Sequence, residues 1–324
     1  MNKKNRLITF FLATLLTVSV LAYFNFNDIT ALPEPAKSQS QILDTAELDF
    51  YARHVKQNSF CRKNSLKAED FETIAQLTAF GDFKTPVDIE ENFLTPGFIC
   101  FVRDTVWKSY FAHIETLANN NKEKAALLLN QYIFLVARMV TKDWLLFDRY
   151  SEIKTLNEQL SWIQNSNLKN LLDKNKSLTP LRDLNFIEFI KDAADKEKWL
   201  NFSLVRKVNP KSFMLINSKN GFSQIESSIF FQKNRTHEHI NKNWDHQIAN
   251  IENCLSEQKT NKLSELQNYC LKSYEKYETS IAQKYLFNTK GAAIINNSRQ
   301  LELQQLFIQI YIELKKFNQL EKSL

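Results

Sequence analysis

The sequence predicts an all-α protein: an N-terminal transmembrane helix, a short tether and a multi-helix extracytoplasmic domain. Three observations carry this. Glycine is very scarce, with four residues in 324. Turn-rich strand proteins need glycine at positive-φ positions, and phosphate or dinucleotide loops need it for close backbone approach. Long runs are rich in Leu, Lys, Glu, Gln and Ala, the strong helix formers. Finally, the chain opens on positive charge followed by an apolar run.

That run is the first element. Lys3, Lys4 and Arg6 precede eighteen uncharged residues from Leu7 to Phe24. As a helix they would span ~27 Å, close to the hydrocarbon thickness of a bilayer. Retained positive charge holds the amino terminus inside and sends the rest outside. A cleaved leader would need a good small-x-small site, and Val20-Leu21-Ala22 is a mediocre one. Tyr23, Phe24 and Phe26 continue the apolar and aromatic character, as an interfacial belt does. Residues 1–24 therefore read as cytoplasmic n-region and signal-anchor, with a cleaved leader as the alternative. Either reading puts the bulk of the chain in the periplasm of a bacterium, and the anchor makes it a single-pass inner-membrane protein. A bacterial source is read from the leader type and the Asn/Lys-rich composition. Residues 25–41, with Pro33, Pro35 and a Ser/Gln/Lys run, read as a tether.

Residues 42–324 form the helical domain, with a possible sub-boundary near 161–178. Hydrophobic residues make up 44% of the chain, enough for a real core. Helices are expected from Ala46 to Gln57 and from Lys67 to Phe80. The turn chemistry clusters between them and the next helix, at Gly81, Pro86, Pro96 and Gly97. A helix from Asp104 to Asn119 should break at the three asparagines 119–121. Lys122 to Leu160 is long enough for two helices or one kinked one. A polar connection follows over 157–177. The next helix should start at Thr179 as N-cap, with Pro180 and Asp183 in its first turn. A short hairpin could lie near Lys219-Asn220-Gly221. Two helices are expected between Thr236 and Tyr285. The last, from Ser298 to Leu320, repeats Leu303, Leu306, Ile310, Leu314 and Phe317 at helical spacing. Leu301 and Ile308 fall off that stripe, which favours burial on more than one side.

The net charge is +6, and Lys3, Lys4 and Arg6 carry half of it. What remains is too weak and dispersed for a nucleic-acid partner. Cys61, Cys100, Cys254 and Cys270 make an even count in an oxidising compartment, which suggests two disulfides. Three pairings are possible. The local one is favoured: Cys254 with Cys270 as a stapled helical hairpin, and Cys61 with Cys100. No Cys-x-x-Cys pair is present.

The one histidine cluster is "RTHEHINKNWDH", with His237, His239 and His246. A metallopeptidase helix would read His-Glu-x-x-His, and here Asn241 occupies the second ligand position. His239 and His246 share a helical face, while His237 points elsewhere. A solvated polar face is the plainer reading, so no metal and no cofactor are expected. There is no Gly-x-Ser-x-Gly elbow, phosphate loop or kinase fingerprint. Asp192 and Asp195 read as ordinary helix charges.

Three stretches, "LLLNQYIFLVARMVTKDWLL", "FFQKNRTHEHINKNW" and "YLFNTKGAAIINNSRQLELQQLFIQIYIEL", resemble a family of uncharacterised membrane-anchored helical proteins of Gram-negative bacteria. Where that family reads Asn-Pro-x-Gly-Lys, this chain has Thr289 for the proline and Ala292 for the lysine. The resemblance implies topology, and no metal role for the histidine segment. The function expected is a non-catalytic binding or scaffold role with an envelope protein or with itself. The alternatives are a periplasmic metal-dependent hydrolase at His237, His239 and His246, or a protein that binds lipid or another apolar ligand.

Overall fold

A computed structural model describes residues 9–19, 66–79, 104–142, 146–182, 184–207, 233–257, 263–272 and 297–324. Among them every regular element is a helix, and the fold is all-α. The helices are α1 (9–19), α2 (Ala68–Ala79), α3 (Asp104–Ala118), α4 (Lys122–Lys142), α5 (Leu146–Gln164), the short α6 (Lys174–Ser177), α7 (Phe186–Lys207), α8 (Lys233–Ser256), α9 (Leu263–Lys272) and α10 (Asn297–Ser323). Two 3₁₀ turns, Asn167–Leu171 and Thr179–Leu181, flank α6. The expected helix over Ala46–Gln57, the Gly/Pro-rich loop and the hairpin at Gly221 lie outside the described residues.

The chain divides into two compact units. One comprises Met1–Pro35, Lys198–Cys254 and Leu271–Gln304. The other comprises Ala36–Glu197, Leu255–Cys270 and Gln305–Leu324.

In the first unit, every described residue of α1 is exposed. Phe10, Phe11, Leu12, Leu15, Leu16 and Val18 are 53–75% exposed. Among the described residues no helix is long and apolar enough to cross a membrane. The transmembrane helix expected over residues 1–24 is therefore not found in them. The described part of α1 spans ~16 Å, against ~30 Å of hydrocarbon. The flanks of the Leu7–Phe24 run lie outside the described residues. Elsewhere in this unit α8 buries Trp244, Ile248 and Ile251. Lys198 Nζ donates to Asp245 Oδ1 at 2.6 Å. The buried Gln304 amide donates to the Gln247 carbonyl at 2.6 Å and to its Oε1 at 2.8 Å.

The second unit is built around α4 and α5. Its helices begin where side chains meet orphan backbone donors. Asp70 accepts the Lys67 N–H at 2.8 Å, half of a capping box. Asn121 caps α4 by accepting Lys124 N–H at 2.9 Å, which is why the triple asparagine breaks the chain there. Asn185, not Thr179, starts α7: its Oδ1 accepts Ile187 N–H at 2.9 Å and Glu188 N–H at 3.2 Å. The Thr179 hydroxyl instead donates back to the Asn175 and Lys176 carbonyls, closing the turn before it.

Apolar residues of α4, among them Leu129, Tyr132, Ile133, Val136 and Val140, are fully buried. Burial pushes the Tyr132 and Tyr110 phenols above their ordinary range, and the Thr78 hydroxyl partly opposes this at Tyr110. Asn130 holds the irregular 165–181 segment onto α4. Its Nδ2 donates to the Ala126 and Leu171 carbonyls, and its Oδ1 accepts from Asp173 N–H and the Ser177 hydroxyl. The expected polar connection over 157–177 is shorter than its composition suggests, because Asn157–Gln164 still belong to α5.

In α10, Ile310, Leu314 and Phe317 of the predicted stripe are buried, with Leu303 and Leu306 half-buried. Phe307 and Ile308 are buried as well, so the helix is covered on more than one side. Its last carbonyls meet cations: Lys174 Nζ lies 3.0 Å from the Glu321 oxygen and Lys169 Nζ 3.4 Å from that of Ser323. That is the sign the helix dipole favours at a C-terminus.

Candidate functional site

Among the described residues, one candidate strip that could meet a ligand is the outward face of α5 with the residue that follows it. There Lys154, Glu158, Ser161 and Asn165 recur at three- and four-residue spacing and stay exposed. α3 contributes Trp107 and Lys108 on one side of this strip. α10 contributes Glu313, Lys316, Gln319, Leu320 and Ser323 on the other. Between them is an open cleft of about 870 Å³. All of its lining belongs to the second unit.

Trp162 forms an apolar patch of the lining. Its ring lies 6.4 Å from Trp107, edge to face, and 5.6 Å from Phe111. Trp107 is buried behind it, and its indole N–H donates to Asp104 Oδ1 at 3.3 Å. Trp162 is half-buried, so part of it is left for a ligand. Such packing fixes an aromatic plate at little remaining entropic cost.

The deepest polar groups are Asn157 and Glu313, both buried. Asn157 Nδ2 donates to the Glu313 backbone oxygen at 2.9 Å and to its Oε2 at 2.8 Å. Glu313 Oε1 accepts Lys316 Nζ at 2.7 Å. Asn157 Oδ1 is buried without a hydrogen-bond partner among the described residues. At the α3 side, Lys108 Nζ donates to Asp104 Oδ2 at 2.6 Å. That hydrogen bond is the main cause holding the Asp104 carboxyl below its ordinary range. Burial opposes it, and the Lys108 charge, the Trp107 N–H and Lys154 add to it.

The cleft lining contains no histidine and no cysteine, so it offers no nucleophile-and-imidazole pair. The lining presents one aromatic plate, several amides and hydroxyls, two carboxylates, and cations of which Lys108 and Lys316 have anionic partners. The sequence does not single out this strip. Its residue types are those of any solvated helix face, and only the approach of α3 and α10 makes it a concavity.

The histidine segment sits on α8, one continuous helix, so positions 239 and 246 do fall on one face seven residues apart. His246 is half-buried, while the His237 and His239 side chains lie outside the described residues. Among the described residues no group of three or more His, Cys, Asp or Glu side chains could hold a metal ion. Cys254 and Cys270 are disulfide-bonded, joining α8 to α9 as a staple. Cys61 and Cys100 lie outside the described residues.

Asp192 is the residue whose role departs most from its sequence reading. It meets Arg149, whose side chain is 1% exposed, with Nη2 at 2.5 Å from Oδ2. Arg149 Nη1 also donates to the Phe189 carbonyl at 3.1 Å, and its guanidinium lies 4.8 Å from the Phe189 ring centroid. This is a structural pair, and neither residue lines the cleft.

Comparison with known proteins finds no match: no family model, no curated protein and no solved structure.

Proposed function

We propose that the chain is a non-catalytic binding protein of the bacterial cell envelope. Its N-terminal apolar helix inserts in the inner membrane, and the helical body in the periplasm engages an envelope protein or a second copy of itself. The supporting observation is α1, which leaves six large apolar side chains 53–75% exposed within eleven residues. Surface helices of water-soluble domains turn one apolar stripe inward and keep the other face polar. A helix apolar all round and exposed all round suits lipid as its solvent. The preceding Lys3, Lys4 and Arg6 suit the cytoplasmic side of that orientation.

Cell fractionation with intact mass spectrometry tests the reading. The full mass, Met1 included, is expected in the membrane fraction and resistant to carbonate extraction. Reduction is expected to add two hydrogens for each disulfide, that of Cys254 and Cys270 among them. A soluble mature chain starting near Tyr23 would defeat the anchor. Cross-linking in intact membranes is then expected to trap an envelope protein or a homodimer. A body that stays monomeric and uncross-linked would defeat the scaffold role.

A further inference from the structure

We propose that the cleft between α3, α5 and α10 binds an uncharged saccharide. The inference goes beyond the anchored-scaffold reading and does not depend on it, because the lining belongs wholly to the second unit.

Charge is the first argument. Lys108, Lys154 and Lys316 line the cleft with Glu158 and Glu313, and Asp104 hydrogen-bonded to Lys108 brings a third carboxylate. Two of these cations are closed into pairs at 2.6 and 2.7 Å. Cations and anions balance, so the field selects neither an anionic nor a cationic ligand.

Shape and surface chemistry come next. Most of the exposed lining is apolar, yet the charged Lys154 and Glu158 stand on the floor, and a lipid tail laid there would have to desolvate them. An extended peptide needs free backbone groups to pair with, and a helical floor uses its own internally. A sugar ring needs neither. Its C–H face packs on an indole, and Trp162 supplies a half-buried one, part of it open, held by Trp107 and Phe111. Its hydroxyls both donate and accept, as the amides and hydroxyl of Asn165, Gln319 and Ser161 do.

Asn157 adds the specific element. Its Nδ2 is committed to Glu313 on two bonds, which leaves the buried Oδ1 an acceptor without a donor. That oxygen is closed off from the cleft, so a ligand hydroxyl would supply the donor only as the amide turns and gives up bonds to Glu313. The strip from Lys154 to Asn165 is ~16 Å long, so an open trough of this size takes linked rings better than a single one.

The test uses the full chain in lauryldimethylamine oxide, a detergent without a sugar headgroup. N,N′,N″-Triacetylchitotriose, maltotriose and cellotriose are titrated by calorimetry and tryptophan fluorescence, with a galacturonic acid trimer as the charged control. Saturable binding of at least one neutral trimer is expected, with the charged trimer weaker. Trp162→Ala should weaken binding at least about tenfold. Because Trp162 also packs on Phe111, Ser161→Arg serves as the second variant: it fills the floor from an exposed position and should abolish binding with helicity unchanged. No saturable binding of any neutral trimer overturns the proposal. So does binding that Ser161→Arg leaves intact, or a preference for the charged trimer. Membrane fractionation reports on the anchor separately, so neither failure masks the other.

Discussion

Arg149 carries a full positive charge at 1% exposure, and what meets it decides what it costs. Asp192, itself 53% exposed, neutralises it from the rim of the core. Removing Asp192 would take away a counter-charge 2.5 Å from a buried guanidinium, with the Phe189 carbonyl and ring still in place. Asp192→Ala should therefore destabilise the protein by about 1–3 kcal/mol, read from urea unfolding midpoints. Lys191→Ala, an exposed neighbour on the same helix, is the control and should change little. Neither partner advertises the other in the sequence: they are 43 residues apart, and only the packing of α5 on α7 joins them.

His113 makes a second residue-scale prediction. Burial is the main cause of its lowered pKa, with Lys124 a smaller one, and its ring stacks on Phe71 at 4.4 Å between centroids. The unfolded chain takes up a proton near pH ~6.5, while the folded chain refuses it until the pH is lower. In that window the unfolded state binds more protons, so stability falls as the solution is acidified below about pH 6.5. His113→Gln should flatten that part of the decline. Comparing urea midpoints at about pH 7.5 and about pH 5.5 checks it, and an unchanged slope would assign the acid sensitivity to other groups.

At the scale of elements, apolar spacing located α2, α3 and α10 to within a few residues, although α10 is covered on more than one side. It failed where four polar residues are buried along one helix. α5 buries Arg149, Glu152, Asn157 and Gln159, so its second half reads as a polar connection. The α7 start was misplaced because Thr179-Pro180 carries a good cap pattern, yet Thr179 lies inside a 3₁₀ turn and its hydroxyl donates backwards, so Asn185 caps the helix. The Cys254–Cys270 staple was legible, because fifteen intervening residues are enough to turn between two helices. On chain entropy, a loop of that length contributes about 3 kcal/mol. Replacing both cysteines with alanine should lower stability by that order, and reductant should then have no further effect on this pair. Denaturation of both proteins with and without dithiothreitol measures it.

For the molecule as a whole, composition predicted the class, because four glycines cannot furnish a strand-rich fold of this length. It did not predict the partition. The two units alternate along the chain, and four of the five boundaries fall inside helices: Glu197/Lys198 in α7, Cys254/Leu255 in α8, Cys270/Leu271 in α9 and Gln304/Gln305 in α10. No Pro- or Gly-rich linker marks these four points. The cleft was hidden for a related reason, since its walls come from residues about 107, 160 and 316 and no local motif connects them. The apolar helix α1 is the exception, a whole-molecule feature written in one continuous stretch. Because none of its described side chains is buried, it contributes no core. Deleting residues 1–24 should leave the helical circular dichroism of the remaining body in place and move its Tm by less than about 2 °C. The same deletion should release the protein from the membrane fraction and relieve any detergent requirement. A fall of many degrees would mean that the segment packs into the body, and its apolar character would then belong to the core and not to a bilayer.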